Sequence, residues 1–317
     1  MRIIPSQTPI LRLSLPFLIL FLPATLLGQT FGGIGSRAEG MGGAFVAVAD
    51  DATAVYWNPA GLATGAVFDA QVFTAGGDLP FFVGTAFPAL GLSYYRTEQP
   101  TASAVALPTV PDSAGRQDEG LGVVPFRLLK TNNFGVTILQ SIVSGAVVGS
   151  TVRVVNGGIE GVDGRTTVDV DAGFMLSVKS IRAGVSARNL AEPEFDDELG
   201  RQVPIQRQVR VGVALAPRAA PSGVHGPLSI AFDADIMTTS DDFGDRRGAA
   251  IGGEYWLARG LIGARAGMRW STLESGHRAF SGGATVRLPK SLYVDAHVTD
   301  AEDSEDTVWG ISGRLTF

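Results

Sequence analysis

Residues 167–178 read TVDVDAGFMLSV, and their side chains alternate between two chemical classes. The even-numbered positions are apolar, whereas the odd-numbered positions are polar or small, apart from Met175. Alternation with a period of two predicts a β-strand that has one apolar face. Residues 261–271 and 290–299 repeat the pattern, so the chain is predicted to be all-β.

The polar faces of these strands carry many charges. A soluble barrel would turn them outward, whereas a membrane barrel turns its apolar face to lipid and its charges to the lumen. The abundance of glycine (41 residues), the low charged content of 18% and an N-terminal export signal favour the membrane arrangement. The predicted fold is therefore a transmembrane antiparallel β-barrel. Its lumen charges include Arg182, Arg210, Arg265, Arg269, Asp233, Asp235 and Glu254.

Residues 1–28 have the features of a secretory signal peptide. Arg2 and Arg12 supply positive charge, and the apolar run 13–27 is shorter than the roughly 20 residues that a spanning helix needs. Gln29 is the predicted first residue of the mature chain, and a retained anchor helix is the alternative. Export of a barrel predicts the outer membrane of a Gram-negative-type bacterium, with membrane lipids and the barrel-assembly machinery as partners.

Residues 65–317 are predicted to form the barrel, with about fourteen strands. Short connections alternate with longer polar ones, as in outer-membrane barrels that have short periplasmic turns and longer outer loops. An even number of strands predicts that both termini are periplasmic, and the last strand ends on the terminal aromatic Phe317. The predicted strands are 65–75, 79–87, 89–98, 120–131, 133–156, 167–178, 180–190, 206–217, 226–237, 247–258, 259–272, 279–288, 290–300 and 307–317.

The segment between the signal and the first strand, Gly35 to Ala63, reads GSRAEGMGGAFVAVADDATAVYWNPAGLA. Residues 44–49 form an apolar patch with helical character, Asp50 and Asp51 can cap the turn that follows, and Asn58-Pro59 favours a further turn. The lumen of a fourteen-stranded barrel is too wide for wall side chains to fill. Residues 29–64 are therefore predicted to be a hatch, or plug, inside the lumen.

This N-terminal block resembles the hatch of the FadL-like outer-membrane family, and its sequence is most similar to the PorV/PorQ-like branch. The resemblance implies a fourteen-stranded barrel with an internal plug and a kinked third strand that opens the wall sideways. Compared with classical fatty-acid transporters, the chain is short and lacks their long hydrophobic loop insertion. The matching residues are Arg37, Gly40, Gly42, Gly43, Ala44, Ala49, Asp50, Asp51, Asn58, Pro59, Ala60, Gly61 and Leu62.

Two functions remain open at this point. The first is a passive channel for small hydrophobic compounds, gated by the hatch at Asn58, Pro59, Ala60, Asp50 and Asp51. The second is a PorV-like factor that docks or shuttles cargo in type IX protein secretion.

The turn at Asn58–Ala60 has two possible roles, which are gating and a purely structural connection between plug and barrel. The lumen charges are either a selectivity lining or pairs that hold a plug, and Arg265 and Arg269 are the best candidates for an anionic ligand. No catalytic constellation, metal site or cofactor motif stands out, because the three histidines are far apart in sequence and cysteine is absent. No basic patch indicates a nucleic-acid partner, so a non-enzymatic protein is predicted.

Overall fold

The computed structural model describes residues 33–76, 80–102, 126–159, 161–197, 200–215, 228–241, 244–273, 277–302 and 307–317. The predicted signal peptide, residues 1–28, lies outside the described residues.

Fourteen antiparallel strands form one closed barrel, in which β1 pairs with β18 to complete the ring. The predicted fold class is confirmed. The barrel strands are β1 Asp69–Ala75, β2 Phe81–Phe87, β3 Leu90–Ala102, β4 Phe126–Val143, β5 Ala146–Ile159, β6 Arg165–Val178, β7 Ile181–Arg188, β10 Gln208–Leu215, β11 Leu228–Asp235, β14 Gly248–Leu257, β15 Ile262–Ser271, β16 Arg278–Leu288, β17 Leu292–Ala301 and β18 Val308–Thr316.

The remaining strands form two small hairpins outside the barrel sheet. They are β8 Glu194–Asp196 with β9 Gln202–Pro204, and β12 Thr239–Asp241 with β13 Gly244–Arg246. Both hairpins lie at the end of the barrel that has the longer connections, here called the long-loop end. The opposite end, which includes the turns 88–89, 144–145 and 179–180, is called the short-turn end.

The boundary between the fourth and fifth strands was predicted wrongly. The expected turn at residues 131–133 lies inside β4, and the actual turn falls at Ser144–Gly145. Gly145 has φ +85°, a left-handed conformation that glycine adopts without steric cost. Asn133 suits the strand interior because its side-chain oxygen Oδ1 accepts a hydrogen bond from Arg153 on the neighbouring strand β5 (2.7 Å).

Two local expectations also differ from the structure. Residues 44–49 form a turn rather than a helix, with the amides of Val48 and Ala49 both donating to the carbonyl of Phe45 (3.0 and 2.8 Å). The third strand, β3, pairs with β4 from Leu90 to Ala102 without a register shift, so the expected kink there is absent. Regular ladders pair β3 with β4 along its whole length and with β2 from Leu90 to Arg96.

The outer face of the barrel is apolar and the inner face is polar. On β6, Val168 is 55% exposed while its neighbour Asp169 is fully buried, and the same alternation follows β17 and β18. A water-soluble protein has the opposite distribution, whereas a membrane barrel shows this one. Separately, no helix among the described residues is both long enough and apolar enough to cross a bilayer.

Candidate functional site

The N-terminal segment Gly33–Gly65, here called the lumen segment, is enclosed by the inner faces of the barrel strands. It contains two short helices, α1 Ser36–Gly40 and α2 Ala54–Trp57, and a 3-10 turn at Pro59–Thr64. Every residue from 34 to 62 is buried.

Glycines on the inner face of the wall allow the lumen segment to approach closely. A Cβ atom placed on Gly149 would lie 2.6 Å from the backbone nitrogen of Ala60, and one on Gly184 would lie 2.8 Å from the carbonyl oxygen of Val46. On β14 and β15, a Cβ on Gly252 or Gly267 would overlap the backbone of the lumen segment. The high glycine content therefore has a positional reason, namely backbone-to-backbone packing inside the barrel.

Asn58 joins the lumen segment to the wall. Its side-chain amide donates to the carbonyl oxygens of Val46 (2.9 Å) and Phe174 (3.1 Å), and its side-chain oxygen accepts from the amide of Ala60 (3.1 Å). Pro59 begins the 3-10 turn, and Ala60 packs against Met175. The sequence motif Asn58–Pro59–Ala60 thus lies at a contact between the lumen segment and the barrel wall. At this place it can act as a structural anchor or as part of a gate.

Arg37 is the central charge of the lumen segment. Its guanidinium donates to Asp50 (Nη1–Oδ1, 2.5 Å) and Asp51 (Nη1–Oδ2, 3.3 Å) within the segment, and to Glu254 on β14 (Nε–Oε2, 2.7 Å). Burial by itself lowers the pKa of Arg37, but the three carboxylates outweigh it and hold that pKa well above its ordinary value. Arg37 therefore stays charged, and Glu254 is shared with Arg265 of the wall (Nε–Oε2, 2.8 Å).

A second anchor surrounds Asp233 on β11. Its carboxylate accepts hydrogen bonds from the backbone amides of Phe45 (2.7 Å) and Val46 (2.8 Å) in the lumen segment. Arg210 lies beside it and beside Asp235, at 3.9 and 3.6 Å. Backbone amides of a turn are good donors to a carboxylate when both are buried, so this contact fixes the turn at residues 44–49.

All seven predicted lumen charges lie on the inner face. Arg182 faces Asp50 of the lumen segment at 3.5 Å, and Arg269 faces Glu39 at 3.0 Å. Each of the seven has an oppositely charged neighbour or a hydrogen-bond partner, and four of them form ion pairs or hydrogen bonds with the lumen segment. The four are Arg182, Arg269, Asp233 and Glu254.

Sequence reasoning missed one polar cluster, here called the Arg153 cluster. Arg153 donates to Asn133 (2.7 Å), Tyr95 (2.8 Å), Asp171 (3.0 Å) and Asn189 (2.8 Å), and it also pairs with Asp169. The members lie on β3 to β6 and just beyond β7, and all are buried. The alternation in TVDVDAGF placed the two aspartates on one face, but nothing local indicated which cation they would meet.

Aromatic side chains cover the lumen segment beside this cluster. Arg188 stacks over the ring of Tyr56, 3.5 Å from its centroid, and Tyr56 in turn packs edge-on against Tyr95 at 5.4 Å. A cavity of about 10 Å³ lies between Tyr56, Trp57 and the wall at β7 and β10. It has room for about one water molecule.

Among the described residues, no group of three or more histidine, cysteine or carboxylate side chains is arranged to hold a metal ion. His297, on the inner face of β17, stacks on Phe73 with 6.1 Å between ring centroids.

Several solved structures share this architecture. The chain resembles "CymD monoaromatic hydrocarbon channel", with a TM-score of 0.61, 12% identity, and coverage of 90% of this chain and 98% of that one. It also resembles a Pseudomonas aeruginosa FadL homologue (TM-score 0.59, 11% identity, 90% and 99% coverage) and the Pseudomonas putida toluene transporter TodX (0.54, 11%, 89% and 96%). The chain has the fold of a FadL-type barrel.

Sequence comparisons add less. A family model described as "F plasmid transfer operon, TraF, protein" matches residues 161–235, which is less than half of the chain. No curated protein matches the sequence. At identities this low, the structural likeness establishes the fold, and the function has to be argued from the lumen itself.

Proposed function

We propose that the protein is a passive outer-membrane channel for small hydrophobic compounds, with the lumen segment as its gate. One observation carries the proposal: a closed barrel with an apolar outer face encloses the lumen segment, which is not part of the barrel sheet and meets the wall through non-covalent contacts. Only closed barrels and helices satisfy the backbone within lipid, and a segment that is not part of the barrel sheet can shift without breaking the wall. The shared fold of structures named as hydrocarbon channels and a toluene transporter supports the choice of cargo.

The proposed orientation places the short-turn end and both termini in the periplasm. In support, Phe317 follows β18 at the short-turn end, where its amide pairs with the carbonyl of Phe68 (2.9 Å). The rings of Phe68 and Phe317 lie 6.1 Å apart on this rim, as expected of an interfacial aromatic girdle.

In the proposed mechanism, the compound moves down its own concentration gradient, and no bond is made or broken. The buried ion pairs of Arg37 and the hydrogen bonds of Asn58 hold the lumen segment closed. Passage requires that part of this segment shift. No protein group has to change its covalent state, so the chain acts by binding and conformational gating.

A reversible cross-link tests the gate. The Cβ atoms built on Gly40 and Gly283 each lie 3.2 Å from the other residue's Cα, so cysteines at these positions face each other, and α1 has to move back by a few tenths of an ångström to reach the geometry of a disulfide. The chain has no cysteine of its own, so the double variant Gly40→Cys/Gly283→Cys forms a single defined bond between α1 and β16.

Uptake of labelled toluene is then measured in cells that express the double variant in their outer membrane. We expect uptake above the level of cells without the protein when the bond is reduced, and a return to that level when it is oxidised. The two single-cysteine variants control for the added side chains and should not respond to the oxidant. Equal uptake in both redox states would rule out a gate that moves at α1, and uptake no greater than in cells without the protein would rule out the channel.

A second candidate is the PorV-like role in type IX secretion, in which the barrel docks or shuttles exported cargo. The favouring observation is that the lumen segment and the Arg153 cluster fill the interior with buried, paired groups. Gentle purification from native membranes discriminates the two, because a docking factor retains a stoichiometric protein partner. Bound apolar compound without such a partner would instead favour the channel.

A further inference from the structure

A small apolar cluster at the long-loop end is separate from the main core. Leu129 on β4 and Val155 and Ile159 on β5 form an apolar patch on the inner wall, here called the cup, and all three are at most 3% exposed. The hairpin β8–β9 covers the cup, with Phe195 fully buried against it and Val203 and Ile205 packed behind. The members of this cluster belong to the wall and to the hairpin, and none of them belongs to the lumen segment or to the main core.

One phenyl ring fills the cup. The ring of Phe195 lies over Gly157 of β5, where an added Cβ would approach the ring carbons Cε1 and Cζ to 2.8 and 2.9 Å. Glycine at 157 therefore makes the space that the ring uses. The cup has the shape of a single aromatic ring because interiors pack closely around the group they hold.

The hairpin that supplies this ring is not part of the barrel wall. Strands β8 and β9 have three residues each and pair only with one another as a separate sheet. The tip of the hairpin is closed by Asp197 and Arg201, whose Nε–Oδ2 distance is 2.6 Å. Lifting the hairpin therefore costs the apolar contacts of the cup and breaks none of the ladders that close the barrel.

The Arg153 cluster closes the path below the cup. Arg153 precedes Val155 by two positions on the same face of β5, and its partners Asp169, Asp171 and Asn133 are buried. An apolar compound cannot move into this cluster without separating buried charges, which is costly. A compound that enters at the long-loop end therefore stops in the cup.

We propose that the cup is a binding site for a single-ring aromatic hydrocarbon, which displaces the ring of Phe195. This inference rests on the proposed channel function and adds the place where its cargo first binds. Phe195 acts as an internal competitor, and the hairpin is the part that moves. A tethered group competes at a high effective concentration, so the empty cup binds more tightly than the filled one.

Binding is measured with toluene as the probe, by saturation-transfer NMR on the purified full chain in detergent. Phe195→Ala empties the cup and should bind toluene at least about tenfold more tightly than the wild type. Adding Gly157→Val to that variant refills the space and should abolish the gain. Equal affinities in all three proteins would overturn the proposal.

A second readout uses the unaltered protein. Arg201 lies in the hairpin with its side chain 49% exposed, so trypsin cleavage after Arg201 reports lifting of the hairpin. We expect saturating toluene to accelerate this cleavage in the wild type and to leave the already rapid cleavage of Phe195→Ala unchanged. An unchanged wild-type rate would show that toluene does not displace the hairpin.

Separate outcomes would exclude the channel and the cup. Toluene uptake by cells, together with identical binding in every variant, would remove the cup and retain the channel. Tight binding by Phe195→Ala without any uptake by wild-type cells would remove the channel and retain the cup as a hydrocarbon site.

Discussion

Gly149→Ala is the sharpest test of how the lumen segment is seated. Gly149 lies on the inner face of β5, and an added Cβ would lie 2.6 Å from both the nitrogen of Ala60 and the carbonyl carbon of Pro59. Ordinary contact begins at 3.4 Å, so the backbone of the segment must retreat by 3.4 − 2.6 = 0.8 Å. Backbone atoms cannot rotate aside as a side chain can.

The expected cost follows from overpacking. Overpacking of a filled interior costs about 1–3 kcal/mol. The lower conformational entropy of alanine does not offset this cost, because β5 stays in the barrel whether the segment is seated or open. Because about 1.4 kcal/mol corresponds to a factor of ten, the open population of the segment should rise roughly 5- to 140-fold.

Hydrogen–deuterium exchange of peptides covering residues 54–64 measures this population, since local opening governs exchange. The matched control is Gly313→Ala on the outer face of β18, where no atom lies within 4 Å of an added Cβ. That variant should leave exchange of the segment unchanged. If Gly149→Ala also leaves it unchanged, the segment is not seated on β5 and the description of the lumen is wrong.

Three further predictions concern the segment and the orientation of the barrel. Arg37→Met removes one of the two cations that neutralise the buried carboxylate of Glu254. It should lower the free energy of unfolding by about 3 kcal/mol, measured as a fall in thermal midpoint. An unchanged midpoint would mean that the ion pair contributes nothing to stability. Asn58→Ala removes three hydrogen bonds and should destabilise the segment by about 2–3 kcal/mol, seen as faster exchange at residues 44–60, and normal exchange there would contradict its anchoring role. A cysteine replacing exposed Ser240 in the β12–β13 hairpin should react with an impermeant maleimide on intact cells, whereas one replacing Lys290 should react only after the outer membrane is opened; the reverse result would invert the proposed topology.

The alternation of side chains let the sequence predict both faces of the barrel. A period of two is a local property of each strand, so TVDVDAGFMLSV already separates Val168 from Asp169 without knowledge of any neighbour. The expectation failed where local signals compete, as at residues 131–133, where asparagines typical of turns lie inside β4. There the cross-strand bond between Asn133 and Arg153 outweighs the local preference.

Which groups meet across the lumen depends on the tertiary structure. Arg37 and Glu254 are far apart in sequence, as are Ala60 and Gly149, and each pair is joined because closing the barrel brings β14 and β5 around the segment. The ring of Phe195 contacts Gly157 because the hairpin that follows β7 lies over β5. The sequence alone specifies an outward apolar face and an inward polar one, because that pattern is local to each strand, whereas the contents of the lumen depend on closure of the whole sheet.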